Sequence, residues 1–238
     1  MKTALIIASL ALLFDIAAAG QQSQQVTESW DNAKLILNVL ARARVSGSLE
    51  YNGKCGPNVV VPDLPRLRGP QKPYAQNPAS ALRSMFSVDG RMAVSQERNG
   101  IVRVIETGVQ TDILDIRIGH LSFNRISDPE QALSLVLDAP EFRSFMQAHG
   151  VGQPFDRFAP PFYLLPGLNK SPESGVRSIS GELNDVTVAD SLDYILRTFP
   201  GFWLYQNCQS PDGQRVVHFD LFPAPGRIWT WGDQTFVN

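Results

Sequence analysis

Apolar positions along the chain keep two rhythms, and the two occur twice in the same order. Val45, Gly47, Leu49 and Tyr51 alternate with Ser46, Ser48 and Glu50, the period-two pattern of a strand with one apolar face. Asn77-Pro78 then reads as an N-cap followed by proline at the first helical position. Ala81, Leu82, Met85 and Phe86 give that helix an apolar face, and Asp89-Gly90 closes it. Met92-Ala93-Val94 predicts a strand, Arg98-Asn99-Gly100 a turn and Ile101 to Ile105 the returning strand, Asn-Gly between two such runs being a strong hairpin signal. Later, Ile179, Gly181 and Leu183 alternate with polar residues. Thr187 and Asp190 make a T-x-x-D pattern close to the capping box, ahead of a helical face of Val188, Leu192, Ile195, Leu196 and Phe199. Pro200-Gly201 stops that helix, because proline cannot continue it and glycine tolerates left-handed angles. Phe202 to Tyr205 then reads as a strand, Pro211-Asp212-Gly213 as a turn and Val216 to Phe222 as the return.

The order strand, helix, strand, turn, strand therefore recurs, and ASALRSMF and ADSLDYIL place Leu82 and Leu192 at equivalent points of their helices. The expected fold class is α+β, with two small βαββ-type units, a helical connection and a Pro-rich crossing segment. Between the units, residues 112–123 (DILDIRIGHLSF) read as a further strand of the first unit. Asp128-Pro129 caps a helix carrying Ala132, Leu133, Val136 and Leu137, and Pro140 starts a second, stopped at Gly150. Residues 151–177 hold Pro154, Pro160, Pro161, Pro166 and Pro172, yet their Phe155, Phe158, Phe162 and Tyr163 are too apolar for a free linker, so this segment should pack on a domain. Before the first unit, Trp30, Ile36, Val39, Leu40 and Ala43 share one helical face. The resulting division is a signal peptide at 1–19, an N-terminal segment and helix at 20–43, the first unit at 44–127 and the helical connection at 128–150. The crossing segment at 151–177, the second unit at 178–223 and a tail at 224–238 complete it.

The N-terminus changes the picture most. Lys2 supplies a positive start, Ala4 to Phe14 an apolar run and Ala17-Ala18-Ala19 small residues, the pattern of a secretory signal cleaved after Ala19. The alternative, a membrane anchor, needs about 20 apolar residues, and this run is shorter and is broken by Asp15. After cleavage no second long apolar segment remains, so the mature chain is expected in the periplasm or outside the cell, without an integral membrane segment. Hydrophobic residues make up 43% and charged residues 18% of 238, an ordinary globular composition. A net charge of -2 without a Lys/Arg cluster argues against a nucleic-acid partner. Cys55 and Cys208 are the two cysteines. Export would allow a disulfide between them; two buried free thiols are the other reading.

Candidate chemistry is sparse. Ser46-Gly47-Ser48 and Ser178-Ile179-Ser180-Gly181 are not a G-x-S-x-G elbow, and neither directly precedes a helix. His120 and His218 fall in strand patterns and His149 at a helix end, where structural roles suffice. Asp112 and Asp115 flank Ile113-Leu114, while Asp185, Asp190 and Asp193 lie near the start of the second helix, where carboxylates normally act as caps. There is no H-E-x-x-H, calcium loop, Walker or G-x-G-x-x-G run, so no catalytic, metal or cofactor residue is assigned and no cofactor is expected. Phe202-Trp203-Leu204-Tyr205 reads first as core and second as a binding surface; Trp229-Thr230-Trp231 reads as exposed or as a final strand.

RSISGELNDVTVADSLDYILRTFPGFWLYQNCQSPDGQRVVHFDLF, around residues 178–222, resembles the short N-terminal (STN) domain of secretins and TonB-dependent receptors. The matching residues are Leu183, Val186, Thr187, Ser191, Leu192, Ile195, Leu196, Gly201 and Val216, with Ser191 where that family prefers alanine. The resemblance extends more loosely to residues 44–106. It implies a periplasmic, non-enzymatic module that binds another protein of the envelope, whose identity it leaves open. No barrel segment follows the module, so a free-standing relative is implied. Two function classes result: a binding or scaffold protein that uses exposed sheet edges by strand addition, and a secreted hydrolase of unrecognised type with a site near the Pro-rich crossing segment.

Overall fold

The computed structural model describes residues 32–53, 65, 67, 77–88, 90–97, 99–152, 177–210, 212–224, 228–231 and 234–237. Ala19, Trp30, Cys55 and most of the Pro-rich crossing lie outside them. Within the described residues the chain is mixed α+β. Helix α1 (residues 32–43) precedes β1 (Gly47–Asn52), α2 (Pro78–Met85), β2 (Met92–Gln96) and β3 (Val102–Glu106). Then come β4 (Arg117–Ile126), α3 (Pro129–Leu137), α4 (Pro140–Ala148), β5 (Ile179–Thr187), α5 (Val188–Thr198), β6 (Gly201–Gln209) and β7 (Arg215–Pro223). A separate hairpin of β8 (Ile228–Trp231) and β9 (Gln234–Val237) ends the description, so Trp229 and Trp231 stand in a strand, followed by one more.

Helices start where short polar side chains and proline direct them. Asn77 accepts a hydrogen bond from the Ser80 N–H ahead of Pro78, and Asp128 accepts from the Glu130 N–H ahead of Pro129. At α5 the capping box forms in full: the Asp190 N–H donates to Thr187 Oγ1 (3.0 Å) and the Thr187 N–H to Asp190 Oδ2 (3.3 Å).

The main sheet has the order β2-β3-β1-β6-β7. Strand β1 lies at its centre, parallel to both β3 and β6, and the antiparallel hairpins β2–β3 and β6–β7 flank it. One face of this sheet presents Leu49, Tyr51, Val102, Val104, Phe202, Leu204 and Phe222 to α1 and α2. The other face presents Trp203, Tyr205, Val217, Phe219 and Leu221. There α3 packs on β4 and β7 and α5 on β5 and β6, so both helices lie between the sheet and an antiparallel β4–β5 ribbon.

Three expectations are corrected. The strand expected at residues 112–123 begins at Arg117, and Asp112 to Asp115 are turn residues. It also pairs with β5, not with the first unit, because Ile118, Leu121, Phe123 and Ile126 need the apolar layer built by α3 and α5. Second, β1 was expected to have one polar face; both its faces are buried, since a central strand between two helical layers meets no water. Third, the β, α, β, β order does recur, but β5 stands outside the sheet that β1 centres, so the two runs do not occupy equivalent places.

Candidate functional site

Strand edges are the places where this fold leaves backbone groups open, and the edges differ. The Thr107 N–H donates to Arg91 O (2.8 Å) and the Glu97 N–H to Ile101 O (2.9 Å). Odd-numbered residues of β2 therefore face β3, and Met92, Val94 and Gln96 turn their N–H and C=O groups outward. Of these outward groups, Val94 O accepts from Arg83 Nη2 on α2 at 2.8 Å. Within Met92–Gln96 there is no charge, no proline and no bulge, and Ala93, Ser95 and Gln96 are exposed. Apart from the Arg83 contact, the strand has no charge, proline or bulge of its own to discourage pairing.

The outer side of β7 and the β4–β5 ribbon are covered or interrupted at particular points. Gly152 adds a bridge along the outside of β7: its N–H donates to Arg215 O (2.9 Å) and its C=O accepts from the Val217 N–H (3.0 Å). On the ribbon, Glu141 takes the Gly119 N–H (2.9 Å) and the Tyr194 hydroxyl donates to Ser180 O (3.0 Å). Arg125 (φ 51°) and Asp185 (φ 52°) further interrupt its regular backbone. Among the described residues, no further strand or bridge extends β2, whereas Gly152 covers β7 at Arg215 and Val217.

Behind β2 and β3, on the face covered by α5, lies a buried ion cluster. Arg103 Nη2 meets Asp193 Oδ2 at 2.7 Å, its Nη1 lies 3.5 Å from Glu50 Oε1, and its Nε donates to Glu97. Asp193 Oδ1 also accepts the Trp203 indole N–H at 2.8 Å, and the guanidinium lies 5.4 Å from the centre of the Trp203 ring. Ser48 Oγ donates to Glu50 Oε1 at 3.2 Å. Glu50 and Asp193 are each 4% exposed. Burial pushes the Glu50 carboxyl up despite the nearby guanidinium, and pushes Asp193 up against the pull of Arg103 and the indole N–H. One cation thus holds three carboxylates, two of them dry. The arrangement fixes α5 to β1, β3 and β6.

A second polar group lies at the start of β7. Arg215 donates to both oxygens of Asp112 (2.6 and 3.0 Å), to Asn207 Oδ1 (2.7 Å) and to the Tyr205 hydroxyl (3.1 Å). The Arg215 hydrogen bonds hold the Asp112 carboxyl below the usual range. Burial pushes the Tyr205 phenol up to about 12, and its hydroxyl donates to Gln110 O at 2.7 Å.

The residues singled out from the sequence are scattered. His120 pairs with Asn184 on the ribbon, His149 stacks on Phe145 at the end of α4, and His218 faces Asp220 on β7. Asp115 is exposed, and Asp185 pairs with Arg117 at the surface. Asp190 caps α5, but Asp193, read as one of the helix-start carboxylates, points into the ion cluster instead. Trp203, Leu204 and Tyr205 are all core. Cys208 is buried and disulfide-bonded; the chain's other cysteine, Cys55, lies outside the described residues. Among the described residues, no group of three or more His, Cys, Asp or Glu is placed to hold a metal ion. Sequence reasoning missed Glu50 and Arg103; the one signal was a cation in the middle of the apolar run Ile101 to Ile105.

Compared with known proteins, the chain matches no family model, no curated sequence and no solved structure.

Proposed function

We propose that this protein is an exported binding module of the cell envelope that takes an extended segment of a partner protein on the edge of β2 by strand addition. The observation that carries the reading is the outward row of backbone groups at Met92, Val94 and Gln96 on an uncharged strand that, among the described residues, no further strand or bridge extends. Main-chain hydrogen bonds supply affinity in this mode, and the exposed Ala93 and Ser95 side chains leave room for a partner on that face. The signal pattern ending at Ala19, a disulfide at Cys208 and the STN-like residues 178–222 support an oxidising envelope setting. Gln96→Pro tests it, because proline removes an outward N–H on an edge strand without touching the β3 pairing. The mature wild-type chain should retain a defined partner from an envelope fraction and the variant should lose it. Equal retention by both would exclude the β2 edge. An intact Met1 on protein from a cytosolic fraction would remove the envelope setting.

A further inference from the structure

The β2 edge is complementary to itself. Hydrogen-bonding residues on its outer side are the even-numbered ones, Met92, Val94 and Gln96. If a second β2 approaches antiparallel with the two-fold axis at Val94, Val94 meets Val94 and Met92 meets Gln96. All of these are outward-facing positions, so each opposed pair exchanges both backbone bonds. The same register sets Arg91, just before the strand, opposite Glu97, just after it, at both ends. Both side chains are exposed, 68% and 39%, and each already pairs with a residue of β3, Arg91 with Glu106 and Glu97 with Arg103. A register shifted by one residue would oppose outward groups to inward ones and lose the bonds. The Arg83 guanidinium on Val94 O occupies one lone pair of that carbonyl and leaves the second for a strand.

We propose that the partner taken on the β2 edge is a second copy of this chain, paired antiparallel about Val94 into a symmetric dimer whose sheets join. The proposal rests on the strand-addition reading above and names its occupant. A two-fold axis through a strand edge gives an isologous contact that closes on itself, so the pairing stops at two copies and does not grow into a fibre. The contact is one short strand against another, well under the roughly 1,000 Å² of a stable interface, so association is weak and visible as a concentration dependence.

Sedimentation of the mature, disulfide-intact chain over a wide concentration range should show a reversible shift from one chain toward two. Gln96→Pro, which removes an outward donor from each copy, should weaken dimerisation at least about tenfold. Register is read by charge exchange. R91E alone opposes two carboxylates across the contact and E97R alone opposes two cations; each should dimerise less than wild type, and an equimolar mixture should recover it as a mixed dimer. Should E97R fold poorly because Arg103 loses its contact, amide exchange of the wild-type protein decides. The Met92, Val94 and Gln96 amides should gain protection as concentration rises. A monomer at every concentration, or a dimer in which those amides gain nothing, overturns the self-pairing. A monomer that still retains an envelope partner in a Gln96-dependent way overturns only the choice of a second copy and leaves the strand-addition reading standing.

Discussion

β1 and β5 carry nearly the same words. Gly47-Ser48-Leu49-Glu50 and Gly181-Glu182-Leu183-Asn184 both follow a serine, both alternate, and each opens a run of strand, helix, strand and strand. The structure gives them opposite environments. At Gly47 a Cβ would lie 2.8 Å from Val102 O, so glycine lets the next strand of a five-stranded sheet close in. At Gly181 it would lie 2.5 Å from the Tyr194 hydroxyl, so glycine leaves room for a side chain that covers the ribbon backbone at Ser180. Glu50 is buried against Arg103, and Glu182 is exposed. Period-two alternation says that a strand has two different faces. Whether the second face meets water is decided by what other parts of the chain lay on it.

The strongest way to break the contrast is to cut what holds the two runs together. Cys208 sits on β6, which pairs directly with β1, and an intramolecular bond there takes Cys55, the only other cysteine. A loop of that length implies about 5 kcal/mol of stabilisation in the chain-entropy model. Reduction should lower the denaturation midpoint accordingly, and the unfolded, unreduced protein should show no free thiol; two free thiols per chain would refute the bond. Next in size is Arg103→Ala. It strands Glu50 and Asp193 in a dry site without their cation, and should cost about 3–5 kcal/mol in urea unfolding at neutral pH. Arg117→Ala removes an ion pair on the ribbon whose side chains are 63% and 76% exposed, and should cost about 1 kcal/mol or less. Comparable losses from the two variants would mean that the two environments differ less than the burial of Glu50 indicates.

Helix starts should behave alike in both runs, since a cap depends on neighbours a few residues away. Thr187→Ala should cost about 0.5–2 kcal/mol and Asn77→Ala an amount in the same range, with Thr187 the larger because its hydroxyl both accepts from the Asp190 N–H and donates to Asp190 Oδ2. Denaturant melts of the two variants check this, and a neutral Thr187→Ala would contradict the geometry at α5.

The same locality explains what was legible. Asn77-Pro78, Asp128-Pro129, Thr187 with Asp190, and the turn at Asn99-Gly100 carry their partners within a few residues, so the sequence alone places the helix starts and the β2–β3 hairpin. The ion cluster depends on separations the pattern does not encode: Arg103 reaches Ser48 across 55 residues and Asp193 across 90. The pairing of β4 is hidden for the same reason, since its partner β5 lies beyond α3, α4 and the crossing segment. The open edge of β2 was half legible. Its lack of charge is readable from the residues, but which backbone groups Gly152, Glu141 and Tyr194 cover is not.

The smallest effect at any single pH, and the sharpest test of the contrast, comes from the paired glutamates. Burial raises the Glu50 carboxyl above its ordinary value of 4.5, so the folded chain holds that proton more tightly than the unfolded chain does. The contribution is therefore fully present below the ordinary value and is lost as pH rises through the raised folded value. Asp193, also raised by burial, adds a slope of the same sign. Asp112, lowered by its hydrogen bonds to Arg215, has the opposite sign and acts in a more acidic window, where its contribution is lost as pH falls through the lowered value. Glu50→Gln cannot titrate and keeps the shape of the protonated side chain. It should flatten the decline of stability with pH just above the ordinary carboxylate range, leaving the part that belongs to Asp193. Glu182→Gln, on the exposed face of the ribbon, should change stability by about 0.5 kcal/mol or less. Unfolding free energies of the three proteins measured at closely spaced pH values decide it. If the Glu50→Gln profile runs parallel to wild type, the cluster holds no proton at Glu50, and the two glutamates differ in burial without differing in chemistry.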